Sequence, residues 1–158
     1  MLKKLLVLAV VPFLSACENE GAAFMIDGKD QSIVLVREQH WFWDSEVDQA
    51  VVVSHMPACM RRYDIKPGVA GSVKMEVYEA GDYLWALKQG KNWYLAGTEK
   101  CEFQRWKDAP ETPPGKLVGT FTRKDGTAGS AVVYNGYRPM LRFRAQGNMS
   151  KREMKLAA

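Results

Sequence analysis

The residues best suited to metal chemistry lie in one short run, His55-Met56-Pro57-Ala58-Cys59-Met60. Imidazole and thioether groups are ligands for copper(I). Cys59 is expected to be held in a disulfide, which leaves His55, Met56 and Met60 as the donor set. Methionine also fills irregular gaps in a hydrophobic core. Copper binding through these three residues is therefore retained as the alternative hypothesis for the function.

The remaining residues do not form a recognisable catalytic set. The chain has two histidines, His40 and His55, and it lacks Gly-x-Ser-x-Gly, Cys-x-x-Cys and phosphate-cradling glycine motifs. Nucleophilic catalysis needs a nucleophile beside a base that a third group orients. The neighbouring carboxylates Asp44 and Glu46 have no apolar flanks that would raise a pKa for acid catalysis. The sequence predicts a protein that is not an enzyme and needs no cofactor.

A second feature is the aromatic segment Trp41-Phe42-Trp43. Three consecutive rings cannot all point to one face of a strand, so at least one should lie outside the core unless the segment turns. Exposed tryptophans are typical anchors of binding interfaces. These three residues are the candidate binding surface, and the alternative is that all three rings are buried or cap one end of a barrel. Other aromatic residues that could extend this surface are Tyr63, Tyr83, Trp85 and Trp93.

The elements that position these residues are predicted to be strands. The 158 residues are 47% hydrophobic and 25% charged, which fits one globular domain and excludes collagen, coiled-coil and multispan membrane proteins. Turn signals at Asp27-Gly28, 89–92 and 124–126 separate β-rich runs. The predicted fold is mainly β: a small antiparallel sheet, a sandwich or a partly open barrel, built from hairpins over residues 24–146, with an edge strand at 140–145.

The N-terminus has the pattern of an export signal. Residues 1–16 carry Lys3 and Lys4 followed by an apolar run that is too short to span a membrane. The run ends in Leu14-Ser15-Ala16-Cys17, which resembles the lipobox of bacterial lipoproteins. The resemblance implies cleavage before Cys17, acylation of that cysteine and a lipid bilayer as a partner, with residues 17–23 as a tether. Glu18 in place of aspartate favours the outer membrane, with the domain facing the periplasm.

The body of the chain is similar to uncharacterised proteobacterial lipoproteins. The shared pattern includes Arg37-Glu38-Gln39 before the aromatic segment, Cys59-Met60-Arg61-Arg62, Lys88-Gln89-Gly90-Lys91 and the strand from Leu117 to Phe121. The resemblance implies a layout and assigns no active site. The leading hypothesis for the function, which is based on the lack of catalytic motifs and the export signal, is a membrane-anchored, non-enzymatic binding or accessory module of the cell envelope.

Export also bears on cysteines and charge. With Cys17 acylated, Cys59 and Cys101 form an even pair in an oxidising space and are expected to be bridged.

Loss of Lys3 and Lys4 lowers the formal net charge from +4 to +2. Residues 137–158 carry six basic side chains and one acidic one, and 147–158 are expected to be a disordered tail. The predicted partners besides lipid are another envelope protein or an anionic glycolipid, and nucleic acid is excluded by compartment.

Overall fold

The computed structural model describes residues 19–27, 29–41, 43–123 and 132–136. The predicted signal peptide, Cys17, Phe42, the turn at 124–126, the edge strand at 140–145 and the tail at 147–158 lie outside the described residues. The described part is mainly β, as predicted, and contains ten strands in two antiparallel sheets. No helix in this part has the length and apolar character needed to cross a bilayer.

The first sheet has four strands in the order in which they occur along the chain. They are β1 (Asn19–Asp27), β2 (Gln31–Glu38), β3 (Glu46–His55) and β4 (Cys59–Val69). The first hairpin turns after Asp27, which pairs with Gln31, as the Asp-Gly step predicted. Valine is the most frequent residue in β2 and β3, and its branched side chain packs well on a half-buried pleated surface.

The second sheet has six strands in the order β10-β9-β5-β6-β7-β8. Their bounds are β5 (Lys74–Gly81), β6 (Leu84–Gln89), β7 (Asn92–Gly97), β8 (Glu102–Trp106), β9 (Lys116–Arg123) and β10 (Val132–Gly136). The β6–β7 hairpin has Gln89 opposite Asn92 and a two-residue turn that begins at Gly90. Gly90 has a φ of 58°, which glycine adopts without steric cost.

The two sheets pack face to face as a sandwich and do not form a closed barrel. The main core contains inward-facing residues of both sheets, among them Phe24, Leu35 and Val51 from the first and Trp85 and Phe121 from the second. A second cluster on the other face of the six-stranded sheet includes Trp93 and Trp106, with Ala109 of the β8–β9 connection packed against it. Trp85 and Trp93, which the sequence offered as parts of a binding surface, are thus buried core residues.

The N-terminal boundary differs from the prediction. The sequence placed a tether at residues 17–23 and the start of the domain at Phe24, whereas β1 already begins at Asn19. Ala22 pairs with Leu35 and is buried in the main core. The run Gly21-Ala22-Ala23 has low strand propensity by itself, and pairing with the hydrophobic strand β2 overrides that preference.

The predicted disulfide between Cys59 and Cys101 is confirmed, with a Cα–Cα distance of 6.0 Å. Cys59 begins β4 in the first sheet, and Cys101 precedes β8 in the second. Beside the bridge, the Tyr63 hydroxyl donates to the Cys101 carbonyl oxygen at 2.5 Å. The bridge therefore joins the two sheets along the side of the sandwich where β4 and β8 lie.

Candidate functional site

The aromatic loop, residues 39–45, connects β2 to β3 at one end of the first sheet. The same end contains the start of β1, because Asn19 is the register partner of Glu38. The loop follows Glu38 directly, and Phe42 is its one residue outside the described part. Alternating inward residues of β2 end at Arg37, so the chain leaves the core and turns at this point. The topology thus places the aromatic loop beside the N-terminus of the domain.

The two described tryptophans of the loop form an exposed stacked pair. Trp41 is 58% and Trp43 is 63% exposed, and their ring centroids are 5.2 Å apart with planes inclined by 11°. The other tryptophans of the chain, Trp85, Trp93 and Trp106, are buried. The alternative in which all rings of the segment are buried therefore does not hold. We call Trp41 and Trp43 the tryptophan pair.

Hydrogen bonds hold the aromatic loop in a defined turn. Asp44 N–H donates to the Trp41 carbonyl at 3.0 Å, and the Gln39 amide donates to the Asp44 carbonyl at 2.7 Å. The Ala70 N–H of the β4–β5 connection donates to the Ser45 carbonyl at 2.9 Å. Because these bonds close the turn on itself and on a neighbouring connection, the tryptophan pair is presented on an organised support.

One side of the loop is acidic. His40, Asp44, Ser45, Glu46 and Asp48 line an open depression of about 390 Å³, and His40 Nε2 lies 2.9 Å from Asp48 Oδ2. Among the described residues, no cluster of three or more histidine, cysteine, aspartate or glutamate side chains is arranged to hold a metal ion. The depression is wide and faces solvent, so its carboxylates are not enclosed by apolar side chains, as the sequence around Asp44 and Glu46 predicted.

Beneath the loop lies a buried arginine, Arg37, which the sequence indicated only as part of the shared Arg37-Glu38-Gln39 pattern. Arg37 has no exposed surface, and its Nη2 donates to the carbonyls of Val69 at 2.6 Å and Ser72 at 3.1 Å. Burial lowers the pKa of Arg37, an effect that the negative charge of Glu20 opposes. The arginine thus holds the β4–β5 connection, which in turn receives the loop through Ala70. Strict alternation after Ile33 and Leu35 already placed position 37 on the inner face.

The proposed copper ligands are not brought together. His55 is satisfied in the tautomer whose Nδ1–H donates to the Glu99 carbonyl at 3.3 Å and whose Nε2 accepts from Gln31 Nε2 at 3.1 Å. Cys59 is the register partner of His55, and Met60 is the partner of Ser54. Because neighbouring positions on a strand point to opposite faces, Met60 and His55 lie on opposite faces of the sheet. Met56 and Met60 are exposed.

A second concave surface, which the sequence did not indicate, lies between β4 and β8. This edge groove has a volume of about 350 Å³. Tyr63 and Tyr94 each stack on Phe103, at 5.3 Å and 5.5 Å between centroids. Lys66, Arg105 and the carboxylate of Asp64 also line the groove, so charges of both signs lie beside its aromatic wall. The groove therefore combines aromatic surface with charged side chains on one side of the sandwich. The sequence could not predict this groove, because it depends on the strand order that places β4 and β8 on the same side of the sandwich.

The comparisons with known proteins add no relative. The chain matches no protein-family model, and searches of curated proteins and of solved structures find no significant similarity.

Proposed function

We propose that the protein is an exported lipoprotein, cleaved before Cys17 and acylated there, whose β-sandwich is a non-enzymatic binding or accessory module at the membrane surface. The Leu14-Ser15-Ala16-Cys17 sequence supports the acylation. The bridge between Cys59 and Cys101 supports export, because stable disulfides belong to oxidising compartments such as the periplasm. Glu18 favours transfer to the outer membrane.

The observation that carries this proposal is the distance along the chain between the acylation site and the fold. Only Glu18 separates Cys17 from Asn19, the first residue of β1. Two residues of extended chain reach at most about 7 Å. Acyl chains on Cys17 would therefore hold the sandwich close to the bilayer, since a single residue lies between the acylated cysteine and the strand. Three acyl chains exceed the two membrane signals that stable anchoring requires.

A binding role is supported over catalysis by the surfaces of the described residues. His55 is engaged on both ring nitrogens, and His40 contacts Asp48 in an open depression. The edge groove instead offers stacked aromatic rings beside Lys66 and Arg105. We assign the contact with an envelope component to this groove.

A photo-crosslinking residue at position 66 tests this assignment. It should yield a discrete adduct in intact cells, and Arg105→Glu should abolish that adduct. The same probe at the exposed control position Glu111 should yield no adduct.

The anchor is tested by Cys17→Ser, with Ser15→Ala as a matched control that keeps a small residue in the lipobox. Radiolabelled palmitate should be incorporated into the parent and the control but not into Cys17→Ser, which should appear in the soluble fraction after carbonate extraction. Membrane association of Cys17→Ser that resists carbonate, with its signal peptide removed, would contradict the proposal. Density-gradient separation then tests location, because Glu18→Asp should move the protein to the inner membrane.

A further inference from the structure

The tryptophan pair lies at the end of the sandwich where β1 begins, and Asn19, the first residue of β1, is two positions after the proposed acylation site. Asn19 and Glu38 are register partners on neighbouring strands, and such strands lie about 5 Å apart. Chain connectivity therefore keeps Cys17 within roughly 12 Å of Glu38, the residue after which the aromatic loop begins. A bilayer that holds acyl chains on Cys17 is necessarily close to this loop.

The opposite end of the sandwich is far from the bilayer in this arrangement. Strand β1 has nine residues and spans about 27 Å at the usual rise per residue. The β1–β2 turn, with the exposed residue Lys29, lies at its far end. The tryptophan pair and Lys29 thus occupy two ends of one strand pair, and only the first end is next to Cys17.

The chemistry of the pair fits the boundary between lipid headgroups and acyl chains. An indole ring has a large apolar face and one N–H donor, and tryptophan is enriched at this depth of membranes for that reason. The two rings are exposed and stacked on a turn closed by hydrogen bonds, whereas the other tryptophans fill the core. Ordering of the loop before contact reduces the entropic cost of binding.

We infer that Trp41 and Trp43 insert into the interface of the membrane that holds the acyl chains of Cys17, and that this second contact fixes the orientation of the domain. The inference rests on the proposed anchor. The carboxylates of Asp44, Glu46 and Asp48 beside the pair do not attract anionic headgroups, so the contact is made by the rings and is insensitive to salt. Acylation of Cys17 brings lipid close to the tryptophan pair. It does not bring a protein partner close to the pair.

The experiment uses the acylated full-length mature protein in vesicles of phosphatidylcholine and phosphatidylethanolamine, with bromine on the acyl chains near the headgroups. Bromine quenches tryptophan emission at short range. Trp85, Trp93 and Trp106 are buried in the sandwich, so quenching reports on the exposed pair. We expect quenching of the parent that persists in 0.5 M NaCl, a salt concentration at which charge contacts are strongly screened. The variant Trp41→Phe/Trp43→Phe should lose that quenching.

A matched control adds Lys29→Trp to the Trp41→Phe/Trp43→Phe variant. This protein has an exposed tryptophan at the far end of β1 and should show no additional quenching. Equal quenching of this control and the parent would overturn the inference, because the domain would then lie on its side. Circular dichroism of each variant establishes that the sandwich is folded.

The remaining outcomes separate the inference from the proposed anchor. Acylated protein, shown by mass spectrometry, whose tryptophan pair is not quenched would overturn the lipid contact and leave the anchor in place. A chain without acyl groups would overturn both. If acrylamide reaches the pair in pure lipid vesicles but not in native membranes, the pair binds a protein and the lipid contact is overturned.

Discussion

Glu20 and Arg123 form an ion pair that joins the two sheets, with Glu20 Oε1 2.6 Å from Arg123 Nη2. Glu20 lies on β1 and Arg123 ends β9, 103 residues away. Their side chains are only 14% and 20% exposed. Glu20 lies three residues after the proposed acylation site, so the chain is already bonded into the sandwich at this position.

The first prediction concerns this ion pair. Glu20→Ala should lower the free energy of unfolding by about 3 kcal/mol, because it leaves the largely buried Arg123 guanidinium without this carboxylate. Exposed pairs contribute much less. The matched control is Glu38→Ala, which breaks the bidentate but exposed pair with Arg62 and should have a much smaller effect. Urea denaturation of the Cys17→Ser protein measures both. Equal losses for the two variants would contradict the prediction.

The second prediction concerns Gly68 on β4. A Cβ there would overlap the Gln49 side chain, with its Cδ only 2.7 Å away. Gln49 has no room to retreat without loss: with its amide turned so that the oxygen faces Arg37, Oε1 accepts from Arg37 Nε at 3.1 Å and Nε2 donates to the Lys66 carbonyl at 3.2 Å. Gly68→Ala should therefore lower the free energy of unfolding by about 1–3 kcal/mol, as overpacking does.

Gly21 on β1 is the matched control for Gly68. A Cβ at Gly21 would meet its nearest atoms, in Leu35 and Val34, at 4.0 Å, which is ordinary contact. Gly21→Ala should leave stability unchanged or raise it slightly, because alanine reduces the freedom of the unfolded chain. In thermal melts, the melting temperature should therefore fall for Gly68→Ala and stay the same or rise slightly for Gly21→Ala. A loss at Gly21 as large as that at Gly68 would show that the close approach to Gln49 is not the cause.

The sequence predicted the hairpins and the mainly β fold because turn residues and period-two patterns are local signals. The sequence did not predict β4 and β8, which are the edge strands of the two sheets on the side that carries the disulfide. β4 carries Arg61, Arg62 and Lys66, charges that an edge strand tolerates because one of its edges is not paired within the sheet. Alternation alone cannot distinguish such a strand from a polar loop. Residues 59–69 form a strand because they pair with the valine-rich β3.

The candidate site was predictable in part. Adjacent rings at Trp41 and Trp43 indicated that some aromatic surface would leave the core. The sequence also grouped Trp85 and Trp93 with them, because aromatic residues on strands are equally compatible with a surface and a core. Only the packing of the second sheet, which buries one on each face, separates them from the tryptophan pair. The edge groove depends on strand order, which no local pattern contains.

The third prediction concerns the pH dependence of stability through Tyr78 and Glu76. Burial, helped by a hydrogen bond to Glu76, raises the pKa of Tyr78 to about 12. A group whose folded pKa is raised contributes stability below its unfolded pKa, here about 10, and loses it as the pH rises. The free energy of unfolding should therefore fall between pH 10 and about 12. Burial raises the pKa of Tyr134 as well and extends this loss.

At acid pH, the free energy of unfolding should change with pH in the opposite direction, because the group involved is the Glu76 carboxyl. The Tyr78 hydroxyl donates to Glu76 Oε2 at 2.8 Å and, with Lys74, lowers the pKa of that carboxyl. Glu76 therefore contributes stability above its unfolded pKa and loses it as the pH falls through the lower folded value. Tyr78→Phe should flatten both limbs of the stability profile measured by urea denaturation, because it removes the titrating hydroxyl and its hydrogen bond to Glu76. An unchanged profile in Tyr78→Phe would refute the assignment.

The last prediction concerns the bridge between Cys59 and Cys101. The two cysteines are 42 residues apart in sequence, and closing a loop of this length restricts the unfolded chain by about 4 kcal/mol. The native packing does not depend on the covalent bond alone, since Tyr63 stacks on Phe103 and donates to the Cys101 carbonyl. Reduction should thus lower the free energy of unfolding by about that amount and leave the sandwich folded.

Three proteins in a Cys17→Ser background test the role of the bridge. Cys59→Ser and the double variant Cys59→Ser/Cys101→Ser should lose the same stability as the reduced parent, because each opens the same loop. Urea denaturation measures the loss, and near-ultraviolet circular dichroism reports the packing around the aromatic residues in the absence of urea. Thiol labelling of the unreduced, denatured parent should detect no free cysteine. A parent that labels, or a double variant as stable as the parent, would show that the bridge does not restrain the unfolded chain.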